Sequence, residues 1–326
     1  MKDTWGREIN YLRVSVTDRC NLRCVYCLPE DGVPLKDHAD ILTYEELETV
    51  IKAAVALGIN RIRVTGGEPL VRRGLIPFLQ RLGQMEGVQD LALTTNGILL
   101  EDYAAKLKEV GVTRLNVSLD TLDPDRYFRL TRRRGFKKVI QGLMTVLRLG
   151  FRPVKLNVVV MRGINDDEIP RFVRLVQTFP VHVRFIELMP MGESAGSSRE
   201  KFISNHEVRR RLEEEVELVP VKNIPGSGPA HYLRPVGAAG SIGFISPLSD
   251  HFCRSCNRLR LTAEGKLSPC LASTDEVDLR QALRSGAGQG ALKDLIRKTV
   301  AMKPVAHRME TTPAGTTGRH MSQIGG

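Results

Sequence analysis

The sequence Cys20-Asn21-Leu22-Arg23-Cys24-Val25-Tyr26-Cys27 places three thiols within eight residues, directly after a strand-like run at 12–17. Such spacing suits a disulfide cluster, a zinc site, a dithiol redox centre or an iron–sulfur cluster. The other cysteines, Cys253, Cys256 and Cys270, form a second triplet. Because residues 1–10 are polar and no apolar run reaches membrane-spanning length, we expect a cytoplasmic protein. Reducing conditions there disfavour disulfides, so both triplets are better interpreted as ligands or catalysts.

Strand-like segments alternate with helical patterns through the first 190 residues. A capping box, Thr43 with Glu46, starts the first helix, and Gly58 follows its end. Strands joined by crossover helices form a parallel sheet, so we predict an α/β fold, a partial (βα)6 barrel over residues 1–190. Residues 191–326 are predicted to form a smaller C-terminal region that carries the second triplet and ends in a flexible Gly-Gly tail. The predicted strands are 12–17, 61–65, 90–96, 114–120, 154–161 and 181–189, and the helices between them lie near 75–85, 101–110, 137–149 and 166–178.

Read with period two, the predicted strands have one apolar and one polar face. The polar face carries Arg13, Arg63, Asn116 and Lys155. Since helices must cover the apolar face, the polar residues are predicted to line the barrel interior, where unpaired charges are costly unless a ligand compensates them. An antiparallel sheet with one solvated face would show the same alternation. The long helical connections favour the parallel sheet.

The first triplet lacks an obvious fourth zinc ligand, since His38 is the nearest candidate and lies in a turn-like segment. A dithiol site would leave Cys20 without a role. Three cysteines on an iron–sulfur cluster leave one iron open to a small molecule. The C-x3-C-x2-C spacing resembles the signature of the radical S-adenosylmethionine superfamily, and so does 65-TGGEP-69 after the second strand. Taken alone, that second segment could be a simple strand-to-helix turn.

The resemblance implies that Cys20, Cys24 and Cys27 hold a [4Fe–4S] cluster whose open iron binds S-adenosylmethionine. One electron then cleaves that cofactor to a 5'-deoxyadenosyl radical. The family's cofactor contacts fall on Tyr26, Gly67, Ser118 and Met189.

The second triplet, Cys253-x2-Cys256 followed by Cys270, supports the same argument for an open iron. Zinc is the alternative, with His251 a conceivable fourth ligand. Arg258 and Arg260 alternate with apolar residues just after Cys256, as on a strand that faces the site. Two guanidinium groups beside a cluster suit an anionic substrate.

The whole set of motifs resembles the GTP 3',8-cyclase family of molybdenum cofactor biosynthesis. The resemblance is carried by the segments 13-RVSVTDRCN-21, 65-TGGEP-69, 94-TTNG-97, 116-NVSLD-120, 185-FIELMP-190, Cys253-x2-Cys256 with 257-NRLR-260, and the terminal glycines. It implies conversion of GTP to (8S)-3',8-cyclo-7,8-dihydroguanosine 5'-triphosphate. The radical would take the ribose C3' hydrogen, and C3' would then attack guanine C8.

Roles within the site follow from the same resemblance. Cys253, Cys256 and Cys270 would hold a second [4Fe–4S] cluster that takes the guanine base. The catalytic residues would be Arg258, Arg260, Gly325 and Gly326, with the two glycines reaching into the active site. GTP contacts would come from Arg13, Arg63, Thr94, Lys155, Arg258, Leu259 and Arg260.

The formal charge of +11 indicates an anionic partner. Besides GTP, we expect a low-potential electron donor and transfer of the product to cyclic pyranopterin monophosphate synthase. We expect neither a membrane nor a nucleic acid partner, and a monomer or a homodimer. One alternative is a radical enzyme that modifies RNA or a peptide, and another is a non-enzymatic iron–sulfur or zinc protein. The basic runs 132–134 and 209–211 are interpreted as solvated helix ends or faces.

Overall fold

The computed structural model describes residues 1–222, 224–226, 228–309 and 320–325. Within them one sheet of twelve strands has the order β12-β11-β10-β1-β2-β3-β4-β5-β6-β9-β8-β7. The strands are β1 (Tyr11–Ser15), β2 (Arg61–Thr65), β3 (Asp90–Thr95), β4 (Arg114–Ser118), β5 (Val154–Val160), β6 (Val181–Glu187), β7 (Leu218–Pro220), β8 (His231–Pro235), β9 (Ser241–Ile245), β10 (Arg258–Leu261), β11 (Lys266–Ser268) and β12 (Val277–Asp278).

Helices connect the strands and cover the outer face. They are α1 (Tyr44–Val55), α2 (Leu75–Gln84), α3 (Leu100–Glu109), α4 (Pro124–Thr131), α5 (Phe136–Arg148), α6 (Ile169–Thr178), α7 (Ser198–Lys201), α8 (Asn205–Glu213), α9 (Leu279–Arg284) and α10 (Gln289–Ala301). The Thr43 capping box at α1 is confirmed, with the Glu46 amide donating to Thr43 and the Thr43 amide donating to Glu46.

Strands β1 to β6 pair in parallel with their sequence neighbours, so the predicted partial (βα)6 barrel is confirmed and the antiparallel alternative is wrong. The apolar residues of these strands face the helices. Leu12, Val14, Ile62 and Val64 are at most 1 % exposed and belong to the main hydrophobic core. The opposite, polar face encloses the interior, as the period-two pattern predicts.

The C-terminal strands extend this barrel at both edges. Strand β10 pairs in parallel with β1, and β9 pairs in parallel with β6. Residues 191–326 therefore contribute strands to the same sheet that residues 1–190 begin. A division into two domains at residue 190 stays a prediction.

Some elements of the structure have no counterpart in the sequence prediction. Helix α4, helix α7 and strands β9, β11 and β12 were not predicted, since each is short. Helix α9 begins at Leu279, because Val277 pairs with Leu267 and the Asp278 carboxylate caps the helix by accepting from the Gln281 amide. The stretch 310–319 of the predicted flexible tail and Gly326 lie outside the described residues.

Every helix in the described part of the chain is too short or too polar to cross a bilayer.

Gly240 tests how the C-terminal strands are attached to the barrel. A Cβ atom there would lie 2.0 Å from the Val181 carbonyl oxygen, at the edge where β9 meets β6. We expect Gly240→Ala to lower the free energy of unfolding by about 1–3 kcal/mol, because the backbone must move to admit the methyl group. Urea unfolding of the metal-free chain measures this. Gly196→Ala is the control, since nothing lies within 4 Å of its Cβ, and equal stability of both variants would contradict the attachment.

Candidate active site

The first thiol loop follows the C-terminal end of β1 and packs against the glycine turn after β2. The Gly67 amide donates to the Thr17 carbonyl at 2.7 Å, and the Glu68 amide donates to the Arg19 carbonyl at 2.8 Å. A Cβ on Gly67 would lie 2.4 Å from the Arg19 oxygen, so only glycine permits this approach. The two motifs singled out in the sequence are therefore one structural unit.

Glu68 holds the glycine turn to the neighbouring strand. Its buried carboxylate accepts from the Leu70 amide, the Thr95 hydroxyl and the Asn96 amide at 2.7–3.1 Å. Burial raises the pKa of Glu68 to about 7, although these hydrogen bonds lower it. In this structure the carboxylate orients backbone amides and the Thr95 hydroxyl.

The side chain of Tyr26 is held by a hydrogen bond to a buried carboxyl group. Its hydroxyl donates to Asp120 Oδ2 at 2.8 Å, and the Val159 amide donates to Asp120 Oδ1 at 2.9 Å. Burial raises the pKa of Asp120 to about 6. Tyr26 lines the shared cavity, as Ser118 and Met189 do.

The second thiol triplet lies at the opposite end of the same strands. Since β10 runs parallel to β1 with Arg258 beside Tyr11, the cysteines before β10 lie near the start of β1. The loop with Cys20 follows the end of β1, a strand length of roughly 13 Å away. Strand β11 returns antiparallel with Ser268 opposite Arg260, which brings Cys270 back beside Cys256.

One cavity of about 300 Å³ joins the two triplets. All six cysteines line it and none forms a disulfide. Its wall also includes the predicted contacts Tyr26, Gly67, Thr94, Ser118 and Met189, and the guanidinium groups of Arg13, Arg63, Arg184, Arg258 and Arg260.

The sulfur positions fit clusters better than a single zinc ion. Two thiolates on one zinc, each about 2.3 Å from the metal, can be no more than roughly 4.6 Å apart. Within the described residues, the three sulfurs of neither triplet all lie within 4.8 Å of one another. Neither triplet therefore has the spacing of three ligands on a single zinc ion, and the cysteines of both border the shared cavity, which suits a three-cysteine [4Fe–4S] cluster with one open iron.

His251, the conceivable zinc ligand, lies with Cys253 and His307 in a group whose ligand atoms are within 4.8 Å of one another. Both His307 nitrogens already have protein partners. Nε2 is 2.8 Å from the Pro247 carbonyl oxygen, and Nδ1 is 3.4 Å from the Met309 amide nitrogen. The group leaves out Cys256 and Cys270, so it does not unite the triplet around one ion.

The two triplets differ in electrostatic setting. Burial raises the pKa of Cys20 to about 11 and that of Cys27 to about 12. Burial also acts on Cys256, but the charges of Arg258 and Lys303 outweigh it and lower its pKa to about 6. Neighbouring cations of the protein favour the thiolate form of Cys256. Deprotonation of Cys20 and Cys27 instead requires the positive charge of a bound metal.

Lys303 holds the second triplet together, and no sequence signal indicated it. Lys303 is 3 % exposed, and its ammonium donates to the carbonyls of Arg258 and Pro269, at 2.8 and 2.7 Å. These carbonyls adjoin the segments that carry Cys256 and Cys270. Arg7, in an ion pair with Asp3, donates to the Cys253 carbonyl at 2.8 Å. The N-terminal segment therefore holds the remaining cysteine of this triplet, Cys253.

The barrel interior is densely cationic. The register places Arg260, Arg13 and Arg63 side by side on β10, β1 and β2. Arg63 donates to the Tyr11 hydroxyl and to Thr94 Oγ1. Burial would raise the pKa of Tyr11, but the charges of Arg63 and Arg13 outweigh it and lower this pKa.

Two interior residues, Tyr11 and Arg184, were missed in the sequence. Tyr11 has the same strand parity as Arg13, so a strand beginning one residue earlier would have included it. Arg184 lies in the predicted sixth strand and donates to the Asn157 side chain. Extending the period-two analysis to that strand would have found it.

Lys155 points into the barrel but does not line the shared cavity. Its ammonium donates to the Pro225 carbonyl at 2.7 Å and lies 5.5 Å from the centre of the Tyr232 ring. Burial, with the like charges of Arg184, Arg114 and Arg63, lowers the pKa of Lys155 to about 6. Leu259 is fully buried in the core, so only its backbone is available for the predicted GTP contact.

The C-terminal segment 320–325 enters the interior. The Gly325 carbonyl accepts from Arg13 Nη2 at 2.9 Å and from Thr65 Oγ1 at 3.1 Å, between β1 and β2. Gly325 has φ +80°, and a Cβ there would lie 3.1 Å from the Thr65 methyl carbon. The structure thus places Gly325 in the interior, while Gly326 is outside the described residues.

A partial parallel barrel with a three-thiol loop after its first strand defines a radical S-adenosylmethionine enzyme. The family model described as Radical SAM superfamily matches residues 14–176, and the one described as Molybdenum Cofactor Synthesis C matches residues 181–309. The crystal structure of SuiB from Streptococcus suis bound to S-adenosylmethionine shares the fold, with a TM-score of 0.59 and 14 % sequence identity. The match covers 94 % of this chain and 74 % of the SuiB chain.

Curated relatives narrow the class. GTP 3',8-cyclase of Heliobacterium modesticaldum is 51 % identical over 100 % of both chains. The enzymes of the same name from Moorella thermoacetica and Alkaliphilus oremlandii are 49 % and 47 % identical, again over 100 % of both chains. The chain belongs to the GTP 3',8-cyclase family, which the sequence motifs indicated.

Lys303 provides a test of the second thiol site. We expect Lys303→Met to lower the iron content of the reconstituted protein from roughly eight to roughly four atoms per chain, because the two cysteine segments lose their common anchor. Iron analysis and spectroscopy of the first cluster with S-adenosylmethionine measure this. Lys298→Met, at an exposed position of α10, should retain both clusters. Full iron content in Lys303→Met would show that Lys303 is not needed as an anchor.

Proposed function

We propose that the shared cavity holds GTP between two [4Fe–4S] clusters and that the chain converts it to (8S)-3',8-cyclo-7,8-dihydroguanosine 5'-triphosphate. The observation that carries this proposal is the single cavity, lined at one end by Cys20, Cys24 and Cys27 and at the other by Cys253, Cys256 and Cys270. A nucleotide spans such a distance, with its base at one triplet and its ribose toward the other.

When bound, the first cluster and S-adenosylmethionine would supply a 5'-deoxyadenosyl radical that takes the ribose C3' hydrogen, and C3' would then attack guanine C8. One further electron from a reductant and one proton would convert the resulting guanine radical to the 7,8-dihydro product. Tyr26, Gly67, Ser118 and Met189 are proposed to hold S-adenosylmethionine, since all four line the cavity. Tyr26 belongs to the first thiol loop, and the other three lie at or just after the carboxyl ends of parallel strands, as that loop does. Asp120 positions Tyr26 for this role through its hydrogen bond.

The cationic interior is proposed to bind the nucleotide. Arg13, Arg63, Thr94, Arg258 and Arg260 line the cavity, and Arg184 adds a further guanidinium group. Burial lowers the pKa of both Arg184 and Arg260 to about 10, so their charges are costly without an anion. A triphosphate compensates them, which supports GTP over RNA or a peptide as substrate.

Gly325 is proposed to work with Arg13, whose guanidinium it contacts directly. The carbonyl of Gly325 fixes the direction of that side chain within the row formed with Arg63 and Arg260. Arg258 and Arg260 are proposed as catalytic residues at the guanine end, beside the second triplet. Gly326 is proposed to extend the same tail.

The remaining partners are proposed from the family. A low-potential donor supplies the electron, and cyclic pyranopterin monophosphate synthase takes the product. The chain is proposed to act in the cytoplasm as a monomer or a homodimer.

The tail provides the test of activity. The anaerobic reconstituted protein, given reductant, S-adenosylmethionine and GTP, should form 5'-deoxyadenosine and the cyclised nucleotide in equal amounts. We expect Gly325→Ala to slow turnover by roughly ten- to a hundredfold, because a Cβ against Thr65 and Ser15 displaces the tail from Arg13. Chromatography of both products measures this. Gly288→Ala, with nothing within 4 Å, is the control. Deoxyadenosine formed without consumption of GTP would refute the proposed function.

Lys155 predicts a proton linkage. With its pKa near 6 in the GTP-free protein, the amine is mostly neutral at pH 7. We propose that a GTP phosphate displaces the Pro225 carbonyl, which now separates Lys155 from the cavity. A phosphate there raises the pKa of Lys155, so GTP binding should take up to about one proton at pH 7. Affinity should therefore weaken as the pH rises above 6.

Calorimetry in buffers of different ionisation enthalpy measures this uptake, and Lys155→Met is expected to remove the Lys155 share of it. Lys298→Met should leave the uptake unchanged. Equal proton uptake by the wild type and Lys155→Met would show that Lys155 does not contact the triphosphate.

A further inference from the structure

The segment from Arg126 to Asn165 contains eleven arginines and lysines and no acidic residue. The structure gathers six of these cations on the end of α4 and the start of α5. We call them the basic patch: Arg129, Arg132, Arg133, Arg134, Lys137 and Lys138. All are exposed except Arg132, which is half-buried.

Among the described residues, the charge of the basic patch is nearly uncompensated. Its one ion pair joins Arg132 to the exposed Glu30 at 3.7 Å. The charges of the other basic run, 209–211, are paired. Arg209, Arg210 and Arg211 each form an ion pair with a carboxylate, at 2.5–3.0 Å. From the sequence alone the runs 132–134 and 209–211 have the same interpretation, but in the structure the basic patch projects a positive field and the run 209–211 does not.

The basic patch is joined directly to the first thiol loop. The Arg23 amide donates to the Thr131 carbonyl at 3.0 Å, and the Val25 amide donates to the Leu130 carbonyl at 2.9 Å. Arg132 donates to the Leu28 carbonyl at 3.0 Å. The end of α4 is thus hydrogen-bonded to the backbone between and just after the cysteines. A partner on this patch approaches the first cluster from outside.

An exposed aromatic ring lies within the patch. Phe128 is 47 % exposed, and the Arg134 guanidinium carbon is 5.5 Å from the centre of its ring. Aromatic and arginine side chains carry much of the binding energy at protein interfaces. This combination fits a protein partner better than a polyanion that needs charge alone.

We propose that the basic patch is the docking surface for an acidic protein that carries one electron. The proposal rests on the proposed function in one respect, that Cys20, Cys24 and Cys27 hold a redox cluster. The partner loses one electron, and the cluster held by these cysteines gains it, passing from the [4Fe–4S]2+ to the [4Fe–4S]+ state. No proton or bond changes hands in this step. Electrostatic attraction speeds encounter, and a small interface permits release after transfer.

The test follows electron transfer into the anaerobic reconstituted protein by stopped flow. The probe is an acidic flavodoxin in its anionic hydroquinone form, which becomes the coloured neutral semiquinone when it loses one electron. We expect Arg133→Gln with Arg134→Gln to slow this transfer at least about tenfold at low salt. Added salt should slow the wild type far more than the variant. These two substitutions do not remove Arg132, whose side chain keeps its hydrogen bond to the thiol loop.

Two controls separate docking from damage. Arg209→Gln with Arg210→Gln removes the same two charges elsewhere and should change the rate by less than about twofold, because those charges are already paired. Reduced methyl viologen, a small cation that needs no docking surface, should reduce both variants as fast as the wild type. A loss with methyl viologen as well would overturn the proposal, since the patch would then act on the thiol loop itself.

Other outcomes decide between this proposal and its competitors. Equal flavodoxin rates in the wild type and the Arg133/Arg134 variant would overturn docking, even if GTP cyclisation driven by methyl viologen is normal. Patch-dependent binding of an RNA oligonucleotide with unchanged flavodoxin transfer would also overturn it and assign the surface to nucleic acid. Patch-dependent transfer without GTP cyclisation would support docking and refute the proposed function.

Discussion

The structure depends on the parallel pairing of β10 with β1. This register sets Arg258 beside Tyr11 and Arg260 beside Arg13. Because both strands run in the same direction, cysteines before β10 and cysteines after β1 lie at opposite ends of one cavity. A pairing shifted by one residue would turn Arg258 and Arg260 toward the helices and Leu259 into the interior. The fully buried Leu259 on the outer face opposes such a shift.

The interior of the barrel carries an electrostatic cost. Cations from several strands share an interior with few carboxylates, and burial lowers the pKa of Lys155, Arg184 and Arg260. The protein offsets part of this cost with neutral acceptors, such as the carbonyls of Gly325 and Pro225. Such carbonyls hold cations in place without cancelling their charge. The interior of the free protein is therefore arranged to receive an anion.

Much of this was predictable from the sequence, for a physical reason. Strand parity and crossover helices are local properties, so they predicted the barrel and the inward direction of Arg13 and Arg63. The attachment of β9 and β10 at the two edges is a long-range property that no local pattern contains. The same holds for Lys303 and Arg7, whose backbone partners lie far along the chain. The basic patch required ion pairs to be seen, since Arg133 and Arg210 look alike in a sequence.

The β1–β10 pairing also has a consequence for biosynthesis. Tyr11 and Arg258 are 247 positions apart (258 − 11). At about 5–20 residues per second, roughly 12 to 50 s pass on the ribosome between the synthesis of the two strands. For that interval one edge of β1 has no partner, and the thiol loop beside it has no far wall. Iron delivered early would meet a site still open to solvent, so the order of translation favours metal loading after β10 has been made and has paired with β1.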